Sequence, residues 1–203
     1  MKVPNAVHEA HPWVMGRIAP DFALLDAWEL PATGRREDFG DLLECLARLD
    51  PTQSESVLSR ALFAVRLRLG TLLRWDERTG DLPIPGCTET SLAERLPGEL
   101  VGTAAHPALH PTVQEAAGGF VSLFRTEDEW AGEISNSTVH GVLQLTWVPD
   151  GKGAWQGRLA VYVKPRGLLG RGYLALIAPF RHVVVYPALL RQVGRAWDAR
   201  VAR

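Results

Sequence analysis

A chain of 203 residues has room for one large domain or two small ones, and 46% hydrophobic with 22% charged residues is the composition of a soluble globular protein with a sizeable core. Its 22 Lys and Arg against 23 Asp and Glu leave no net field that would recruit nucleic acid or an acidic partner. The two cysteines, Cys45 and Cys87, are far apart and at no spacing that predicts a zinc site or a disulfide framework.

Residues 1–17 show little periodicity and predict an extended N-terminal arm. Lys2, His8 and Glu9 fall where a signal peptide would need an apolar run, so none is expected. The stretch FALLDAWEL at 22–30, bounded by Pro20 and Pro31, predicts a first strand. Phe39, Leu42, Leu43, Leu46 and Leu49 then recur at helical spacing, which predicts a helix over 35–49 with Cys45 in its apolar pattern. A second amphipathic helix over 54–75 would be capped by Ser54 or Ser56 and would turn Leu58, Leu62, Val65, Leu69 and Leu72 inward. Two such helices in succession form an αα-hairpin that has to cover an apolar surface.

Residues 76–119 carry five prolines and several glycines and read as a long irregular insertion, a candidate lid or ligand gate. Within it, Ser91 and Glu94 have capping-box spacing and predict a short helix over 91–96. From residue 120 the pattern turns to strands at 120–125, 138–148 and 155–164, the last two joined by the glycine-rich PDGKGA at 149–154. Thr126 and Glu129 have the spacing of a helix cap, but the Asn136-Ser137 pair ahead of a clear strand favours a hairpin over 127–135. Leu176, Phe180, Val183, Pro187, Leu190, Val193 and Trp197 then share one side of a long C-terminal helix over 168–197, with a bend expected at Pro187. Arg181, His182 and two prolines within its most apolar window argue against a transmembrane helix, and a cytoplasmic location is expected by default. The arginines of this region, including Arg191 and Arg195, read as a solvated face, or else as a surface for a membrane or partner.

The run GRGYLALIAPFRHVVVYPALL at 170–190, with TEDEW at 126–130 and TVHGVL at 138–143, resembles the C-terminal signature of an actinobacterial domain-of-unknown-function family. Through it the chain resembles START-like (SRPBCC) helix-grip proteins, the group that contains polyketide cyclases. The resemblance implies an α+β fold for residues 18–203, in which an antiparallel sheet wraps a long C-terminal helix around an apolar cavity, with an αα-hairpin after the first strand. It also implies binding of a hydrophobic small molecule, lipid or polyketide-like. The alternatives are an enzyme that cyclises, dehydrates or isomerises such a molecule, or an interaction domain that partners a separate reductase. The chain itself has no strand–GxGxxG–helix fingerprint, and no cofactor is expected. Fold analogy leaves these functions open, because such cavities serve carriers, sensors and enzymes alike.

A cavity enzyme needs a few polar groups in an apolar setting. His140 is the first acid–base candidate, since imidazole exchanges protons near neutrality. If Val139, Leu143 and Leu145 face the core, however, His140 faces away from it. Glu133 and Tyr162 are a candidate acid–hydroxyl pair on neighbouring strands, and Tyr186 lies one helical turn from His182, which could hold a carboxylate or phosphate. Trp130, Trp147, Tyr173 and Phe180 are the candidate cavity lining. His106 and His110 are spaced for a metal, but Pro107 and Pro111 disfavour the helix this needs, and no metal site is expected. Cys87 lies in a loop and would need an adjacent base to act as a nucleophile.

Overall fold

The computed structural model describes residues 1–49, 82–103 and 120–201. The helix expected over 54–75, and His106 and His110, lie outside the described residues. Six antiparallel strands form one sheet in the order β1-β2-β6-β5-β4-β3. They are β1 (Lys2–Val3), β2 (Ala23–Gly34), β3 (Val121–Arg125), β4 (Glu129–Ser135), β5 (Val139–Pro149) and β6 (Trp155–Pro165). Strands β3 to β6 follow one another as hairpins, whereas β2 pairs with β6, the last strand of the chain. A long helical segment follows β6 directly, so the molecule is an α+β fold with the helix-grip arrangement.

Each hairpin is closed by a side chain that mimics backbone. Thr126 Oγ1 accepts the amide of Glu129 at 2.9 Å between β3 and β4, so the spacing that also suits a helix cap serves a turn. Asn136 Oδ1 accepts the amides of Thr138 and Val139 between β4 and β5. Asp150 Oδ1 accepts those of Lys152 and Ala154 between β5 and β6, where Gly151 and Gly153 adopt positive φ.

Both faces of the sheet are covered. One face packs Leu30, Leu145, Trp147 and Leu159 against α3 (Phe39–Ala47) and the C-terminal helix, where Val193 and Trp197 are buried. Cβ-less Gly157 permits the close approach of Leu42 from α3, whose Cδ2 would lie 2.9 Å from a Cβ there. The opposite face packs Ala27, Val142, Ala160 and Tyr162 against residues from the N-terminus and from 84–100. Residues 1–17 therefore differ from the expected extended arm. They hold β1, α1 (Asn5–Glu9) and most of α2 (Val14–Ile18), and bury Val3, Trp13, Val14 and Met15. Five-residue helices carry too little periodicity to be read from sequence.

The insertion is also partly docked. Leu92–Arg95 forms a 3₁₀ turn with Ser91 at its cap and Glu94 Oε1 accepting the Ser91 amide, as its capping-box spacing predicts. Leu92 and Ile84 are fully buried in the same cluster.

The C-terminal helical segment is α4 (Gly167–Phe180), a π-helical turn at Arg181–Val185, and α5 (Tyr186–Val201). The interruption expected at Pro187 appears one turn earlier. Proline lacks the amide that would bond back to residue 183, and its ring crowds that carbonyl, which the wider turn relieves. The extra residue also shifts the helical phase. Val193 and Trp197 stay buried, but Leu176 and Val183, expected on the same inner side, are exposed.

Candidate functional site

The sheet divides the sequence-derived candidates into two groups. Glu133, Val142 and Tyr162 lie in one cross-strand row, and His140 and Gln144 share their face, under the N-terminal residues and the docked insertion. Trp130, Trp147 and Tyr186 lie in the cluster on the opposite face, and His182 reaches that side through Asp26. Tyr186 therefore cannot act together with His140, Glu133 and Tyr162.

On the first face, His140 Nε2 meets Glu133 Oε2 at 2.8 Å, and both are buried. The same carboxylate accepts the Ser91 hydroxyl, and the amide of Leu92 at 3.0 Å. Burial works to raise Glu133, but the bonds from His140 and Ser91 bring it below the usual glutamate range. Ser91 and His140 both bind the carboxylate, so the imidazole does not serve the hydroxyl as a base. The arrangement holds the turn at Leu92–Arg95 onto the sheet. Tyr162 is buried, and desolvation followed by the charge of Glu129 pushes its hydroxyl up.

Two rows further along the same face, Glu129 accepts the amides of Val14 at 2.7 Å and Met15 at 3.0 Å, the first two residues of α2. Gln144 Nε2 donates to Glu129 at 2.8 Å, and Gln144 Oε1 lies 2.8 Å from His8 Nε2. Burial pushes the Glu129 carboxyl up, against three donated bonds that favour its ionised form.

The second face holds a cluster centred on Asp26, which is 1% exposed. A register shift between Leu24 and Asp26 turns this carboxylate to the helix side. His182 Nε2 meets Oδ1 at 2.5 Å, Arg181 Nη2 donates to Oδ2 at 2.9 Å, and the Tyr186 hydroxyl donates to Oδ2 at 3.2 Å. Lys2 Nζ lies 3.2 Å from Oδ1. Burial raises Asp26, but the bonds from His182 and Lys2 and the charge of Arg181 outweigh it, and the group titrates below the usual range. Desolvation pushes the Tyr186 hydroxyl up, reinforced by the charge of Asp26.

The π turn makes this convergence possible, because its wider winding puts Arg181 and Tyr186, five residues apart, over the same carboxylate. Trp28 stacks obliquely on Tyr186 at 4.9 Å between ring centroids. The Nε1 donor of Trp28 and the Nε donor of Arg181 are buried with no acceptor among the described residues. The His182 side chain is 35% exposed, and with Nε2 committed to Asp26 its Nδ1 is the nitrogen left for a ligand. On α4, Tyr173, Leu174, Ile177 and Phe180 are only half-buried, as are Val161 and Leu143 in the sheet row of Asp26.

Trp130 and Trp147 pack in the core of this face. Trp147 lies 5.9 Å from Trp197 and donates Nε1 to the Arg35 carbonyl. Cys87 Sγ lies 3.2 Å from Arg95, 3.5 Å from Lys164 and 3.6 Å from Asp21, so its neighbours are two cations and a carboxylate. A cleft of about 340 Å³ lies between Arg36, Phe39, Gly40 and Arg125, but Arg36 is already paired with Glu127 at 2.9 Å. Among the described residues no group of three or more His, Cys, Asp and Glu is placed to hold a metal.

Sequence reading missed Asp26. Its signal was a carboxylate inside the apolar strand FALLDAWEL, but the bulge that aims it at the helix is not visible in the pattern.

No curated protein and no solved structure matches the chain. A family model described as "Protein of unknown function (DUF2867)" matches residues 18–188, which run from the end of α2 into α5. The match takes in β2, the hairpin strands, α4 and the π turn, and the chain belongs to the DUF2867 family.

Proposed function

We propose that this START-like domain binds an amphiphilic small molecule between α4 and the sheet, with the ligand's polar end at the Asp26–His182 cluster. The observation that carries this reading is an ordered polar cluster, with one imidazole nitrogen left open, set among half-buried apolar side chains on both α4 and the sheet. Burial of an apolar chain there would supply affinity at roughly 25 cal/mol per Å². The unsatisfied donors of Trp28 and Arg181 suit a ligand that carries oxygen acceptors.

A second reading is favoured by the same dyad. Asp26 orients His182 so that Nδ1 can take a proton from a bound ligand, with the Tyr186 hydroxyl alongside. It makes the domain an enzyme of proton transfer, for which cyclisation, dehydration or isomerisation are the candidate reactions.

Native mass spectrometry of freshly purified protein, followed by organic extraction, tests binding directly. A stoichiometric apolar compound that is lost from Leu143→Asp supports the site. An apo mass with no thermal stabilisation by fatty acids or aromatic polyketides rejects it. Incubation of the extracted compound with wild type and His182→Ala then separates the readings: a carrier returns the compound unchanged from both, whereas an enzyme converts it in wild type alone.

A further inference from the structure

The outer side of α4 is apolar and faces solvent. Leu168 is 83% exposed, Leu169 86%, Leu176 79% and Val183, in the π turn, 74%. Leu168, Gly172, Ala175, Leu176 and Pro179 fall on one side at helical spacing, all exposed, with the exposed Arg171 at its flank. The span Gly167–Arg200 contains a window long and apolar enough to cross a bilayer, yet only 17% of it is buried within the protein. Apolar patches of this kind mark a surface that meets something else.

Charge identifies the partner. Between Asp150 and Asp198 the sequence has no Asp or Glu, but it has Lys152, Arg158, Lys164, Arg166, Arg171, Arg181, Arg191 and Arg195. Of these, Lys152, Arg171, Arg191 and Arg195 are exposed. A helix with a bare apolar side, a flanking cation and no carboxylate along its length suits the interface of a bilayer that contains anionic lipid. A second copy of the chain suits it less well. A two-fold contact of α4 with itself would bring like-charged arginines together, with no acid in this stretch to pair them. Nor is the helix free to insert end-on. Arg181 and His182 bind Asp26, the Arg166 amide donates to the Thr138 carbonyl at 2.8 Å, and Val193 and Trp197 are buried against the sheet.

We infer that α4 and the π turn dock flat on an anionic membrane surface, sinking Leu168, Leu169, Leu176 and Val183 into the headgroup boundary. This docking is independent of the ligand reading. A membrane-bound α4 would also lie with its half-buried inner side next to the source of any lipid that the domain binds.

Co-sedimentation of the full chain with vesicles of phosphatidylcholine, alone or mixed with phosphatidylglycerol, tests the inference. Wild type is expected to pellet with the anionic vesicles and to be released by salt. Arg171→Ala should weaken binding about fivefold. Leu168→Asn with Leu176→Asn should weaken it more than about tenfold without adding a repelling charge, while thermal melts stay unchanged because both side chains are already exposed. Absence of wild-type binding to anionic vesicles overturns the inference, as does equal binding to neutral ones. It is also overturned if the protein is a dimer that the double substitution dissociates, which would assign the face to a second copy.

Discussion

Four side chains converge on the carboxylate of Asp26, and three of them come from a single turn of π-helix and the residue that follows it. With Asp26 gone, the Arg181 guanidinium would stay half-buried without its anion, next to an Nε that already lacks an acceptor. Uncompensated buried charge is among the costliest defects a fold can carry. Asp26→Ala should lower stability by about 3 kcal/mol in urea titration. Asp26→Asn keeps one acceptor oxygen but removes the charge and turns an amide NH2 towards donors, so it should cost nearly as much. Equal, near-zero losses for both would mean that the cluster is solvated and plays no part in holding the helix. The same reasoning separates this site from Glu133 and His140, which lie in a closed setting where the carboxylate spends its lone pairs on Ser91, Leu92 and His140.

At the scale of elements, the entry into α4 depends on one glycine. A Cβ on Gly170 would lie 2.2 Å from the Thr138 carbonyl oxygen, which already accepts the Arg166 amide. Backbone on both sides leaves nothing flexible to yield, so Gly170→Ala must lift the start of α4 off the β4–β5 hairpin. We expect it to cost about 1–3 kcal/mol in thermal or chemical denaturation. At Gly172, two residues on, a Cβ would meet nothing within 4 Å, and Gly172→Ala should instead stabilise by about 0.5–1 kcal/mol through helix propensity. Opposite signs at two neighbouring glycines would establish where α4 touches the sheet. Strands β3 to β6 were legible in sequence because alternation and turn residues act locally, and their ends agree with expectation to within a residue or two. The π turn was not legible. Periodicity counted back from Trp197 through Val193 and Leu190 assumes one winding throughout, so it placed Leu176 and Val183 inside, where the inserted residue turns them out.

For the whole molecule, the main departure from sequence expectation is that the sheet has two covered faces. Alternation in β5 correctly set His140, Gln144 and Thr146 opposite Leu143, Leu145 and Trp147, but it cannot report what lies beyond a polar face. That side is buried by residues 1–22 and 84–100, fastened through Glu129, Glu133 and Gln144, so polar side chains that suggested solvent are anchors. The N-terminal fastening contains a titrating group whose folded state admits no charge. Gln144 gives its Nε2 protons toward Glu129, so its Oε1 faces His8 and must accept from His8 Nε2. The other ring nitrogen, Nδ1, is buried with no partner among the described residues, and a second proton there would have nothing to bind. Burial accordingly holds His8 below its ordinary value, with the Gln144 bond opposing and the charge of Arg158 assisting. A histidine depressed in the folded state is protonated first in the unfolded one. Its contribution is therefore complete above the unfolded value of about 6.5 and is lost as pH falls below that, by at most about 1.4 kcal/mol per pH unit. We expect acidification from pH 7 to pH 5 to lower the hydrogen-exchange protection factors of residues 1–22, measured against intrinsic exchange at each pH, beginning with the Val14 and Met15 amides, before those of the β5–β6 pair fall. His8→Gln, which cannot take up a proton, should flatten that dependence. An unchanged pH profile in the variant would transfer the effect to another group and leave His8 a neutral packing residue over Gln144.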